Sequence, residues 1–136
     1  MANSFKFTNN LPKLTKQLDS NYEHALKKAV YDIHNHLVKK LSGSRSGRTY
    51  KVAGTKRTYT ASAPNQAPAT RTGDLRTSYR PVVEGTGFFA KGIVGSPLDY
   101  SVFLEYGTRK MAKRPHLRQS FDETQSEWLK HFIDLI

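Results

Sequence analysis

The feature that most constrains how this chain folds is an apolar stripe of helical period. Leu14, Leu18, Tyr22, Leu26, Val30, Ile33, Leu37 and Leu41 recur at steps of three and four, the spacing that gathers side chains on one face of an α-helix. The pattern predicts a long first helix over residues 12–41. Pro12 suits its first turn, where a missing N–H costs nothing, and Ser42-Gly43 supplies a stop. Lys16, Asp19, Glu23, Lys27 and Lys39 fall on the opposite face, so one side seeks a core or a partner and the other seeks water.

With 136 residues, the chain has the size of one ordinary domain and can bury a core without covalent staples. The absence of cysteine excludes a disulfide framework, a thiolate zinc site and a cysteine nucleophile. No run approaches the ~18 to 20 apolar residues that span a bilayer, and the first ten residues lack a secretory apolar run. A soluble protein made in the cytoplasm, with no membrane partner, is expected.

Beyond the first helix the pattern changes. Gly43, Gly47, Gly54, Pro64 and Pro68 interrupt residues 42–72, which argues against regular helix. Within this stretch, 48–52 and 57–60 are two β-prone runs around a glycine-containing turn, the pattern of a hairpin. Residues 63–69 are expected to run extended, because proline biases the residue before it toward β or polyproline geometry.

Thr72 is placed to cap a short helical turn over 73–78, with Asp74 at its amino end. Strands are expected over 79–84 and 88–94, joined across Gly85-Thr86-Gly87, with Pro81 marking an edge or a bulge. A short helix over 98–106 would gather Val102, Phe103 and Tyr106 on one face and end at Gly107 in the left-handed conformation. After a basic loop over 108–114, Leu117, Phe121, Trp128, Leu129, Phe132 and Ile133 predict one carboxy-terminal helix starting near Pro115. The expected class is α+β, with helices covering a small antiparallel sheet.

Charge is distributed unevenly. Lys and Arg total 22 against 11 Asp and Glu, a net of +11. Residues 119–136 hold Asp122, Glu123, Glu127 and Asp134 against Lys130, a net of −3, which leaves +14 for residues 1–118. No acidic residue lies between Asp32 and Asp74. Such a field attracts polyanions through counterion release without implying sequence readout. Arg45, Arg48, Lys51, Lys56 and Arg57, interleaved with Tyr50 and Tyr59, are therefore candidates to face DNA. The alternative for the same segment is a solvated loop that orders against another subunit.

Catalytic constellations are absent. His24, His34, His36, His116 and His131 have no convincing ligand partners and read as solvated or interfacial side chains. There is no phosphate-binding glycine loop, no nucleophile elbow and no carboxylate cluster for metal-assisted hydrolysis. No catalytic residue, cofactor or metal is assigned.

Three short blocks are more specific. Thr70-Arg71-Thr72-Gly73-Asp74-Leu75-Arg76-Thr77-Ser78 follows the proline-containing linker, Tyr100-Ser101-Val102-Phe103-Leu104-Glu105-Tyr106-Gly107-Thr108 follows the strands, and Arg114-Pro115-His116-Leu117-Arg118 opens the last helix. Taken singly, each reads as a helix cap, a helix with a glycine stop, or a proline-initiated helix. In this order they resemble the neck, or tail-completion, proteins of long-tailed bacteriophages, from the first helix through Phe121. Those proteins carry a Thr-Gly-x-Leu-Arg-x-Ser block, a Tyr-x-x-x-x-Glu-x-Gly-Thr block and an Arg-Pro-x-Leu block. The chain departs from them at residues 63–68, where a Pro-Gly-x-x-Pro linker is frequent, and at His116, where an aromatic is usual.

The resemblance implies a non-enzymatic virion protein at the head-to-tail junction, without cofactor. Its expected partners are copies of itself in a ring, the stopper, tail terminator and adaptor proteins, and the packaged double-stranded DNA by proximity. Interface residues are expected at Arg71, Gly73, Leu75, Arg76, Tyr100, Glu105, Gly107, Thr108, Arg114 and Pro115. A tail terminator or minor tail protein, or a non-specific DNA-binding protein, is the alternative. Glu105 would be costly to bury alone, so a pairing with Arg76 or Arg114 is expected, and Glu105→Ala should impair assembly while leaving the domain folded. A closed ring needs heterologous contacts, for which the basic amino-terminal region and the acidic terminal helix offer complementary surfaces.

Overall fold

A computed structural model describes residues 8–70 and 73–135. The expected cap at Thr72, the interface candidate Arg71 and the terminal Ile136 lie outside them. Helix α1 spans Leu11–Ser42, with Pro12 in its first turn. Its buried positions are Ala25, Ala29, Val30, Ile33, Leu37 and Leu41, so the apolar stripe meets a core only over its second half. Leu11 and Leu14 are 66% and 51% exposed. The last carbonyls of α1, which have no partner within the helix, are taken up by side chains. Ser42 Oγ donates to Val38 O at 2.7 Å, Thr70 Oγ1 donates to Leu41 O, and Arg45 donates to Lys40 O.

Strands β1 (Thr49–Lys51) and β2 (Thr58–Thr60) form the first hairpin, with Tyr50 opposite Tyr59. The segment that follows does not run extended. Pro64 and Asn65 occupy a β-turn closed by Gln66 N donating to Ala63 O at 3.0 Å. Asn65 has φ +66°. Proline before a left-handed asparagine satisfies the φ demands of a type II turn, which the pre-proline bias at residue 63 does not oppose, because the chain reverses at Pro64 and Asn65.

Helix α2 (Asp74–Ser78) starts from Gly73 at φ +87°. Strands β3 (Arg80–Glu84) and β4 (Lys91–Gly95) pair antiparallel, Pro81 opposite Val94 and Val83 opposite Gly92. That alternation turns Pro81, Val83, Gly92 and Val94 toward α1. Gly92 is required there, because a Cβ would lie 2.4 Å from a Val30 methyl. The second strand begins later than residue 88, since 87–89 form a 3-10 turn in which Ala90 N donates to Gly87 O at 3.1 Å. Gly85 and Gly87, both at positive φ, make that turn accessible. The two hairpins are separate two-stranded sheets in place of one, and every strand, Pro81 included, is an edge.

Helix α3 spans Tyr100–Tyr106. Gly107 ends it at φ +79° but ψ 176°, an extended glycine conformation in place of the left-handed helical one. Its backbone is hemmed in, as a Cβ would meet Lys113 N and Met111 O at 2.9 Å. The carboxy-terminal helix is two helices, α4 (Leu117–Glu123) and α5 (Gln125–Ile133), interrupted at Thr124. Thr124 is buried, and its hydroxyl donates back to Ser120 O at 2.7 Å, a local bond that competes with regular helix. Both helices pack on α1. The class is α+β, and the core centres on Leu37, Leu41 and Tyr79, with Leu75, Val94 and Leu117 around them.

Candidate assembly interface

Glu105 pairs with neither Arg76 nor Arg114. Its side chain, 11% exposed, reaches the start of α4. Oε2 accepts the backbone N–H of His116 and Leu117, each at 3.0 Å, and Oε1 accepts that of Arg118 at 3.1 Å. These are the donors a helix leaves unsatisfied at its amino end, where negative charge is also favoured by the helix dipole. The glutamate of the second block thus caps the helix opened by the third, and its position is explained by folding.

His116 completes this junction and is not a solvated histidine. It has no exposed surface. Its Nδ1 lies 2.9 Å from Arg114 O and 3.0 Å from Glu105 Oε2, and its Nε2 accepts the Tyr79 hydroxyl at 2.6 Å. These partners assign a neutral ring protonated on Nδ1. Burial lowers the His116 pKa and, helped by the nearby Glu105 charge, pushes the Tyr79 phenol up to about 12. Three other histidines also serve the fold. His34 Nε2 donates to Tyr79 O at 3.0 Å, His36 Nε2 to Glu123 at 2.7 Å, and His131 Nε2 to Asp32 at 2.6 Å. Lys40 adds a 2.9 Å ion pair to Glu123. His36 and Lys40 hold the Glu123 carboxyl below its ordinary pKa. Part of the acidic charge of the last helices therefore binds the chain's own α1.

With Glu105 tied into the frame, a groove of about 620 Å³ opens between the first hairpin and the body. Gly73, Leu75, Arg76, Tyr100 and Arg114 all line it, so side chains from all three blocks converge on one surface. Leu41, Leu104 and Met111 extend its apolar floor, while Val52 and Tyr59 of the hairpin form the opposite wall. Arg76 donates to Ser42 Oγ at 3.0 Å and Arg114 to Ser62 Oγ at 2.8 Å, which holds both guanidinium groups at the groove. Gly107, Thr108 and Pro115 are not part of this lining. Thr108 closes a bridge with Met111, its N–H donating to Met111 O at 2.9 Å.

Of the candidates to face DNA, Arg48, Lys51, Lys56 and Arg57 are exposed on the first hairpin. Arg48 lies over the Tyr50 ring at 5.7 Å, and Tyr50 stacks on Tyr59 at 5.7 Å. Arg45 departs from the expectation. It is half-buried, donates to Ala67 O at 2.6 Å and to Ser44 O at 2.9 Å, and fastens the linker to the end of α1. Burial lowers its pKa.

Helix α3 is inverted for a monomer. Ser101 is its one buried residue, whereas Val102, Phe103 and Tyr106 share an outward exposure. The face that these three were expected to form is therefore turned to solvent. Phe89 at the tip of the second hairpin is 93% exposed. Phe89 and the buried Tyr79–His116 pair were not singled out as site residues. The glycine-rich Gly85-Thr86-Gly87 and the histidine in the third block were their only signals.

Residues 5–107 match the sequence model of the family described as "Bacteriophage HK97-gp10, putative tail-component". No curated protein and no solved structure gives a match.

Proposed function

We propose that this chain, which belongs to the HK97-gp10-like family of phage tail components, closes into a ring of identical subunits around the DNA channel where tail meets head. A phage tail component works in the virion against other tail and neck proteins. The finer reading is carried by the inverted α3, which buries a serine and turns Val102, Phe103 and Tyr106 outward. A contiguous apolar face of this kind marks a protein interface. The groove on which the three blocks converge supplies a second, different surface, as a heterologous ring contact requires. The stopper, adaptor and tail terminator proteins are the proposed neighbours, and the proposed role is structural and without cofactor.

The exposed Arg48, Lys51, Lys56 and Arg57 favour DNA proximity, since a diffuse positive field neutralises phosphate without gripping a duplex that must slide. The same residues support the second reading, a free non-specific DNA-binding protein. Cryo-electron microscopy of purified virions tests the proposal. A ring of this chain at the neck is the expected result, its absence from particles overturns the proposal, and a ring at the tail end of the junction makes it a tail terminator. A monomer that shifts duplex DNA at physiological salt supports the second reading.

A further inference from the structure

We infer that the tip of the second hairpin, led by Phe89, inserts into the cation-rimmed groove of a neighbouring copy of this chain. The inference rests on the ring reading and gives it a specific contact. Phe88 and Phe89 are adjacent but differ in surroundings. Phe88 packs its ring 5.5 Å from Tyr22 on α1, whereas Phe89 has no ring contact among the described residues and is 93% exposed. The tip is not a loose loop. Gly85 and Gly87 hold it at positive φ, Phe89 N donates to Thr86 O at 3.2 Å, and Gly87 N donates to Glu23 Oε2 at 3.4 Å. An aromatic presented on a fixed turn loses little conformational freedom on docking, and aromatic anchors in pockets dominate interface energetics.

The groove matches the tip in size, polarity and charge. Its volume of about 620 Å³ exceeds what one phenyl ring needs, and its floor of Leu41, Leu75, Leu104 and Met111 is apolar. Arg76 and Arg114 line it together with one carboxylate, Asp74, beside a hairpin carrying Arg48, Lys51, Lys56 and Arg57, so its surroundings are cationic on balance. The tip abuts Asp19, which would touch a Cβ at Gly87 and makes no ion pair among the described residues. Glu23 beside it is already in an ion pair with Lys27 at 3.6 Å, so Asp19 is the carboxylate next to the aromatic that is left to meet the arginines of the groove.

Position along α1 excludes insertion within one subunit. The tip sits at Asp19 and Glu23 and the groove at Leu41, a separation of about 30 Å at the helical rise. Two complementary surfaces at opposite ends of one subunit join copies head to tail, and such a contact closes into a ring when the rotation permits.

The chain has no cysteine, so single-cysteine variants of the full chain give an unambiguous cross-linking test. Mixing Thr86→Cys, an exposed position of the same tip that leaves Phe89 in place, with Tyr100→Cys under mild oxidation should form the mixed disulfide roughly tenfold faster or more than mixing Val82→Cys with Tyr100→Cys, Val82 being exposed on the outer face of β3. Phe89→Ser should raise the concentration for half-assembly, read by light scattering, roughly tenfold or more without moving the melting temperature of the dilute, unassembled chain. Phe89→Leu should recover part of that loss. Equal cross-linking rates, or a ring unaffected by Phe89→Ser, overturn the contact while leaving the ring reading intact. A wild-type chain that remains monomeric, alone and in virion extracts, overturns the ring reading and this contact with it.

Discussion

The two hairpins are built on the same two-stranded plan, yet they are attached to the molecule by different forces. The second, β3–β4, lies against α1 through apolar side chains so closely that Gly92 has no room for a methyl beside Val30. The first, β1–β2, stands away from α1. Polar bonds around its base hold it, with Gly47 N donating to Ala61 O at 2.8 Å and Gln66 tying Ser46 to Ala63. The side of the molecule built from α1, β3–β4, α4 and α5 thus carries the stability, and the side around β1–β2 carries exposed charge. Surfaces that must dock or open are drawn from the less stable end of a structure, and the groove lies on the boundary between the two sides.

The sharpest way to break that contrast is to overfill the packed side. Gly92→Val should cost about 3 kcal/mol or more, since a side chain there forces β4 off α1, and denaturant unfolding would measure it. Removing the carboxylate that joins α3 to α4 comes next. Glu105→Ala leaves three N–H donors of α4 without their acceptor and should cost about 2 to 4 kcal/mol. The structure replaces the expected arginine pairing with this cap, so the variant should lower stability as well as any assembly that depends on the groove. An unchanged melting temperature would show that water caps α4 equally well.

Acidity probes the same side more gently. Burial lowers the pKa of His116 from 6.5, so the unfolded chain takes up the proton first. Stability is fully present above pH 6.5 and is lost as pH falls below it. Tyr79, raised from 10.0 to about 12, has the opposite slope, and its contribution is lost as pH rises above 10. A melting curve that plateaus between these limits is expected, and His116→Phe should flatten the arm just below pH 6.5 while leaving the loss at lower pH that comes from the depressed Glu123 carboxyl.

Changes to the first hairpin should be smallest. Tyr50→Ala removes a stacked pair and a cation–π contact, worth about 1 kcal/mol locally. Hydrogen exchange should quicken over residues 48–60 while the global melting temperature holds. Replacing Arg48, Lys51, Lys56 and Arg57 with glutamine should leave stability within about 0.5 kcal/mol. It should nevertheless flatten the salt dependence of any DNA association. A large loss of stability from either set would erase the distinction between the two hairpins.

Much of this architecture is legible in the residues. The 3.6-residue stripe sets α1, paired β-prone runs set both hairpins, and glycine and proline mark the turns, because these signals act over a few neighbouring residues. Glu105 was recognisable as a residue needing a partner, but a sequence search for its partner favours opposite charge over backbone N–H groups, which every residue except proline carries. The break at Thr124 was hidden for a related reason. Its apolar neighbours keep helical period across the interruption, and only burial against α1 fixes the hydroxyl in its bond to Ser120.

The sequence by itself determined the α+β class, the family and the separation of basic from acidic regions, since composition, period and motif order are properties of the chain. Tertiary structure alone decided that the three blocks converge on one groove, that Arg45 binds backbone carbonyls, and that α3 shows its apolar side to solvent. Those outcomes depend on which surfaces α1 leaves uncovered once β3–β4, α4 and α5 have packed on it. Burial of that kind is a competition among distant segments for one helix face, and no local pattern records the result.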